Sequence, residues 1–516
     1  MKTKRNFLLS GFLLTMAALL MRTISVSFNV YVSGIVGAEA MGLLALIASV
    51  YGFAVTLATS GIHLATVRTI SARLLQTGGA ENGKALRACL RYATFFGTLA
   101  TLLLFLFARP LSAFVLKDDR TARALYLLSF TLLPIALTSV LNGYFVAVRR
   151  AWKNALTGVS EQGVKILLTC YFLVFLAPKT TEGYVLAILA GGAVAEAFSL
   201  AFNLILYVID KRRFRNVTPL KTGKTPRVAD VALPVAISAY ARSGLLAIEH
   251  ILIPRGLLSF GAGSAEALSA YGALQSMALP VALYPAAVTT AFAGLLIPEV
   301  TEQQSANNRI QIRYIARRVY QLTLLFSIGT SAIMLCFSAP LGEVLYHNAE
   351  VGTFLCLLAP LIPVMYLDTA TDALLKGLGE QVYSMRVNIL DALVSVICVA
   401  LLVPRMGITG YLVTIYITEI LNAALSITRL LRISGFTPSV FGHVIRPLFC
   451  AVGATYLIRA FLHALPLSLP LAASILLSAL FYLLLLFFTG SFGKSDRQWL
   501  AGFLGVRDGF LPCRKK

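Results

Sequence analysis

Charge is what this chain has least of: Asp, Glu, Lys and Arg make up 13% of its 516 residues, against 58% hydrophobic side chains. Soluble domains carry about 25% charged residues, so a soluble globular fold is excluded. Histidine occurs five times with no metal-ligand spacing, and the seven cysteines (Cys89, Cys170, Cys336, Cys356, Cys398, Cys450 and Cys513) stand singly, without a CxxC pair. They read as small core residues, and no metal site is expected. The chain has no P-loop, no GxGxxG in a helix context and no nucleophile–base cluster. Nothing points to ATP hydrolysis, covalent catalysis or a cofactor, and the chain reads as a non-enzyme. Long polar loops are missing too, which leaves no room for a soluble domain between the apolar runs.

What the chain has is apolar length, with a mean hydropathy of +0.81. About twenty apolar residues cross a bilayer, and such runs fall near 7–33, 41–63, 92–108, 123–148, 155–177, 183–210, 228–254, 265–297, 318–338, 352–377, 383–403, 408–430, 441–463 and 468–489. They predict an all-α, multi-pass membrane protein of about fourteen spans with both ends on one side. Of the 44 Lys and Arg, 33 lie at the ends and in the loops on the amino-terminal side, eight opposite and three inside spans, namely Arg22, Lys165 and Arg242. That asymmetry predicts cytoplasmic termini in a plasma membrane. It also accounts for the net charge of +22 better than a nucleic-acid partner, which would need one folded basic face. The loop from Lys211 to Arg227 and the tail from Lys494 to Lys516 are the most basic segments, and the only tryptophans, Trp152 and Trp499, stand beside cytoplasmic loops as interfacial anchors would. The amino terminus looks like a signal peptide, but no small-x-small cleavage site follows, so an uncleaved first helix is expected.

The sequence repeats itself. Pro178 with Gly183-Tyr184 is echoed by Pro404 with Gly410-Tyr411, each opening a span with one glutamate, Glu196 and then Glu419. Leu141-Asn142-Gly143 is echoed by Leu375-Lys376-Gly377, and Arg22 stands 220 residues before Arg242. An even number of spans per copy predicts two parallel six-helix repeats, forming two lobes around a central cavity, with two extra carboxyl-terminal helices. The expected divisions are 1–210 (first lobe), 211–227 (basic cytoplasmic linker), 228–432 (second lobe) and 433–516 (helices thirteen and fourteen with the tail). Pro280 and Pro285 in the eighth span, and Ser60-Gly61 near the end of the second, predict bent helices suited to a gate.

Arg22 sits mid-span, where an arginine costs roughly 2.5 to 3.5 kcal/mol, so it should face protein or water. Thr15, Arg22, Ser25 and Asn29 form one polar helical stripe, and Ser238, Arg242 and Glu249 form another in the seventh span. These two stripes are the candidate substrate site. Asp368 and Asp372 form an i, i+4 carboxylate pair, read either as an ion-coupling site or as a wet helix face. Glu161 and Lys165 read as an intrahelical pair. Glu196, Asp391 and Glu419 are single acids, each to be paired or wet.

Four segments carry a resemblance: MGLLALIASVYGFAVTLATSGIHLATVRTISARL (41–74), LNGYFVAVRRAWKNALTGVSEQGVKI (141–166), LLIPEVTEQ (295–303) and LLKGLGEQ (374–381). They are similar to polysaccharide exporters related to stage V sporulation protein B, in the multidrug/oligosaccharidyl-lipid/polysaccharide exporter superfamily that includes the lipid II flippases. His63 stands where the family usually has proline, and Lys165 where it commonly has arginine. The resemblance implies a flippase that carries a polyprenyl-diphosphate-linked saccharide from the inner to the outer leaflet by alternating access, with membrane lipids around it and a coupling ion, proton or sodium, as a further partner. Arg22 and Arg242 would then pair with the diphosphate, since guanidinium matches phosphate oxygens in paired hydrogen bonds. His63, Ser25, Asn29 and Glu249 complete the expected binding set. The competing reading of the arginines is a structural ion pair, with Glu249 or another span's carboxylate as partner. Two other functions compete: a multidrug/cation antiporter of the same fold, which would want acidic cavity residues, and a membrane-bound glycosyltransferase or ligase, which would want a large catalytic loop.

Overall fold

The computed structural model describes residues 2–77, 82–150, 152–211, 228–438, 441–464 and 470–490. Nearly all of the basic linker and the tail with Trp499 lie outside the described residues. Among the described residues there is helix and no strand. Eleven helices are long and apolar enough to cross a membrane, or twelve if one bent pair counts as a span.

Three places separate that number from the fourteen runs of the sequence. The first two runs share one helix, α1 (Lys2–Thr59), interrupted at Gly37 with φ 78° and ψ 172°. Only glycine adopts that conformation without steric penalty, so the kink between the runs rests on one residue. The second place is the pair α4 (Thr121–Ser129) and α5 (Leu132–Ala147), bent by 43°. The third is the eighth run, which is α9 (Ser264–Gly272), a π-helical turn Ala273–Ala278, a short α10 (Leu279–Leu283) and, after Pro285, α11 (Ala286–Ser305). Proline lacks the amide hydrogen that would continue the ladder, and the run is broken where the prolines fall. The other sequence-level break is found as well: α1 stops at Thr59, Ser60 and Gly61 take φ of 41° and 68°, and α2 (Ile62–Thr77) begins.

The remaining helices are, in chain order, α3 (Asn82–Pro110), α6 (Trp152–Tyr171), α7 (Thr181–Lys211), α8 (Val228–Phe260), α12 (Arg309–Tyr346), α13 (Ala349–Leu358), α14 (Ile362–Gly377), α15 (Gln381–Met406), α16 (Ile408–Ser434), α17 (Arg446–Ala464) and α18 (Leu471–Phe488). Packing divides the chain into two compact units, residues 1–280 with 382–421, and residues 281–381 with 422–516. The repeats 1–210 and 228–432 are a proposal from internal sequence likeness, which is a different criterion from packing.

In the first unit α1 packs on α3, α8 and α9, α2 on α5, and α6 on α7. In the second unit α12 is central, against α13, α14 and α17. The two last helices belong to that unit: Tyr482 on α18 donates to the Leu325 carbonyl at 2.8 Å and packs into a cluster with Leu324, Leu325, Ile328 and Leu367. Gly329 leaves the room that the Tyr482 ring occupies, because a Cβ there would collide with it.

Candidate substrate cavity

The half of α1 after Gly37 meets two helices through small residues. At one end Gly42 and Gly272 touch backbone to backbone, and a Cβ on Gly272 would fall 2.9 Å from the Gly42 Cα. At the other end the Ser60 hydroxyl bonds the Tyr240 hydroxyl, and Thr56 Oγ1 donates to Ser243 Oγ at 3.1 Å. Gly61 lies under the Ala232 carbonyl, 2.7 Å from where its Cβ would stand. Both contacts belong to the first unit. Glycine and hydroxyl side chains let helices approach closely in a membrane and supply polar glue at about 0.6 kcal/mol per bond.

Between the two contacts lies a cavity of about 370 Å³, lined by Asn29, Met41, Ser49, His250, Tyr271 and Gln275 among others. Among the described residues, no Asp, Glu, Lys or Arg is on the lining. The groups are held: Tyr271 Oη is 3.0 Å from His250 Nδ1, Tyr411 Oη donates to Gln275 Oε1 at 3.0 Å, and Ser276 Oγ donates to the Met41 carbonyl at 3.1 Å. Asn29 Oδ1 is buried without a hydrogen-bond partner among the described residues. A buried amide oxygen left unpaired costs about 1 to 3 kcal/mol, which a bound hydroxyl or amide would recover. Behind the wall, Glu249 is 8% exposed and lies near Ser395. Its charge also reaches Asp391, Tyr271 and Tyr411.

Of the expected binding residues, Asn29 lines this cavity and Glu249 backs it. Arg22 and Ser25 are exposed on α1, and Arg242 is exposed on α8, the helix packed against α1. Asp391 on α15 lies within electrostatic reach of Arg242. His63 is exposed at the start of α2, and its carbonyl packs on α5, where a Cβ on Gly143 would stand 2.9 Å away. In the second unit Asp368 accepts from Asn422 Nδ2 at 3.3 Å, while Asp372 pairs with Lys376 Nζ at 2.5 Å. The two carboxylates thus hold different partners.

A polar seam that sequence reasoning missed runs between α6 and α7. Lys153, Thr157, Glu161, Lys165 and Thr169 recur every fourth residue along α6. Lys153 Nζ lies 2.9 Å from Asp210 Oδ1, Thr157 Oγ1 donates to Asn203 Oδ1 at 3.3 Å, and Glu161 and Lys165 both interact with Glu196. Asp210 also pairs with Arg150 and accepts from Tyr144 Oη at 3.2 Å. The i, i+4 recurrence was the available signal. Gln275, Tyr271 and His250 gave none, because isolated polar residues in an apolar run look alike whether they line a cavity or satisfy one another.

Residues 7–298, more than half of the chain, match the family described as Polysaccharide biosynthesis protein. The chain belongs to that family. Residues 257–402 also match the MatE family, in keeping with the multidrug/oligosaccharidyl-lipid/polysaccharide exporter superfamily. Among relatives, Stage V sporulation protein B of Bacillus subtilis is 24% identical over 84% of this chain and 85% of its own. Lipid II flippase MurJ of the same organism is 23% identical over 81% of this chain and 82% of its own. Of solved structures, Lipid II flippase MurJ in an inward closed conformation superposes with a TM-score of 0.69 at 12% identity, covering 94% of this chain and 99% of that one. An inward-facing multidrug resistance MATE family transporter superposes at 0.64 and 13% identity, over 82% of this chain and 100% of its own. These structural likenesses show the fold, an all-helical architecture with many membrane-length helices.

Proposed function

We propose that this membrane protein is a flippase for a polyprenyl-diphosphate-linked saccharide, carried from the inner to the outer leaflet by alternating access, and not an enzyme. The family and the sporulation and flippase relatives support the class. The observation that carries the reading within this chain is the cavity lining, which offers amide, hydroxyl and imidazole groups and no carboxylate. Neutral donors and acceptors suit sugar hydroxyls, and the described lining offers counter-charge neither to a cation nor to a diphosphate, so the cavity speaks for the sugar and the diphosphate is assigned outside it. The lipid tail stays in the bilayer while the head group crosses. Arg22 and Arg242 take the diphosphate, Asn29 and Ser25 the sugar, and Glu249 and His63 position neighbours. The small-residue contacts at Gly42 and at Ser60 are the ends that open in turn.

The cation antiporter of the same fold is the second reading, favoured by the MatE match and by Glu249 and Asp391 behind the wall. Asp368 and Asp372 are the proposed place for a coupling ion, proton or sodium. On the charge asymmetry both termini face the cytoplasm. Native mass spectrometry of the purified protein with a lipid-linked disaccharide and with a soluble cationic drug tests the choice. Retention of the lipid-linked sugar supports the flippase, and the drug as sole ligand overturns it. Labelling of Lys221→Cys from outside intact cells tests the orientation, where strong labelling would invert it.

A further inference from the structure

Half of the eight Lys and Arg on the side opposite the termini, namely Arg109, Lys117, Arg120 and Arg123, fall within fifteen residues. On a face that carries only eight of the 44 Lys and Arg, that concentration needs a reason. The local structure is built with care. After Arg109 and Pro110 the helix widens into a π-helical turn, Leu111–Leu116, and the chain reverses at Lys117 with φ 54°. Single π turns inside helices are frequent at functional sites. Ser112 Oγ donates to the Asp118 carbonyl at 2.8 Å, and Thr121 Oγ1 donates to the same carbonyl at 2.8 Å. Arg120 is fully engaged, gripping Asp118 through two nitrogens and reaching Glu39 at 2.8 Å. Its pKa is raised, first by the Asp118 hydrogen bonds and then by Glu39. Arg120 therefore fixes the turn and is not available to a ligand.

The turn frames a pocket of about 610 Å³ lined by Arg109, Pro110, Phe114, Asp119, Arg123 and Tyr126 among others. Two arginines thus line one pocket together with Pro110, Phe114 and Tyr126, and Asp119 is the acidic residue on the same lining. Arg123 has a 3.3 Å contact to Glu182 but keeps 75% of its side chain exposed. Beside the pocket, Phe114 is 77% exposed, and Phe107 and Phe130 also present their rings outward. Arginines and exposed aromatic rings gathered at the end of a membrane-length helix offer the chemistry of a phospholipid: phosphate to the arginines, acyl chain to the rings.

We infer that Arg109 and Arg123 form a site for the phosphate head group of an anionic phospholipid of the surrounding bilayer. The occupant is the bilayer's own lipid because the pocket opens beside the lipid-facing phenylalanines and lies outside the Asn29 cavity. The site bears on transport through the turn itself. Arg120 ties it to Glu39 in α1, two residues after the kink at Gly37, and Arg255 on α8 donates to the carbonyls of Phe114 and Val115. An anionic lipid held there braces α1, α3 and α8 together.

Full-length protein in detergent is titrated with phosphatidylglycerol, phosphatidylethanolamine and undecaprenyl phosphate, and bound lipid is counted by native mass spectrometry. The wild type should retain phosphatidylglycerol in preference to phosphatidylethanolamine. Arg109→Gln with Arg123→Gln should bind it about tenfold more weakly, or worse, as expected for losing charge-assisted hydrogen bonds. Arg109→Lys with Arg123→Lys should bind in between. Melting temperatures without added lipid should match the wild type, since both side chains are exposed, and the Lys variant provides the comparison if the Gln variant folds poorly. Unchanged phosphatidylglycerol retention in the Gln variant overturns the site. So does an equal loss of phosphatidylethanolamine, which would mean that head-group charge is not read. Selective loss of undecaprenyl phosphate would assign the pocket to the carrier lipid instead.

Discussion

Gly42 and Gly272 meet with no side chain between them, so that a Cβ on either would strike the partner's backbone. Neither backbone can yield as a flexible side chain would. Gly272→Ala should therefore hold that end of the α1–α9 contact apart, with an overpacking cost of about 1 to 3 kcal/mol. Maleimide labelling of Ser49→Cys, which lines the cavity, should rise several-fold in the Gly272→Ala background. Unchanged labelling would mean that the contact does not guard the cavity.

The α6–α7 seam predicts a stability effect. Asp210→Leu leaves Lys153, whose side chain is 7% exposed, buried without its carboxylate. Removing one partner of a buried pair costs about 3 to 5 kcal/mol, whereas replacing both partners by apolar groups is often neutral. Asp210→Leu should thus lower the melting temperature in detergent, and Lys153→Met with Asp210→Leu should restore most of it. Equal melting of the single and double variants would show that Lys153 finds another partner.

If Asp368 and Asp372 hold a coupling ion, Asp368→Asn with Asp372→Asn should abolish ion dependence of transport while leaving lipid-linked sugar binding within about twofold. The separate partners, Asn422 and Lys376, would have to release the carboxylates for both to face one ion. Transport with unchanged ion dependence in the double variant would reduce the pair to a helix face.

Much of the architecture could be read from the chain, and where reading stopped there is a physical reason. Helices, and the breaks at Ser60-Gly61 and around Pro280 and Pro285, follow from apolar length and from residues that resist helical geometry. Asn29 was legible because it shares a helical stripe with Arg22 and Ser25, and it does line a cavity. Arg242's neighbour Asp391 was not, because a pair so far apart in sequence leaves no periodic trace. Glu161 and Lys165 were legible as a pair along α6 and Glu196 as a single acid, but that Glu196 comes near them depends on how α6 packs on α7.

Arg22 and Arg242 lie on two helices that pack together, and in the proposed mechanism a diphosphate shared by them would couple binding to closure. Arg→Lys at either position keeps the charge and loses the paired geometry, so transport should fall partly; Arg→Ala should abolish most of it. The double Ala variant should be little worse than either single one, because neither arginine suffices alone. If Arg242→Ala misfolds and is rescued by Asp391→Asn, the arginine serves an ion pair and not the substrate.

The most direct measurement is head-group translocation in proteoliposomes of purified protein, with a polyprenyl-diphosphate disaccharide placed in one leaflet and its appearance in the other read by a sugar-binding probe. Wild-type protein should accelerate its crossing over protein-free vesicles, and Arg22→Ala and Arg242→Ala should bring it back near that background while remaining folded. No acceleration by wild-type protein, in vesicles where the same protein moves a soluble cationic drug, would contradict the assignment.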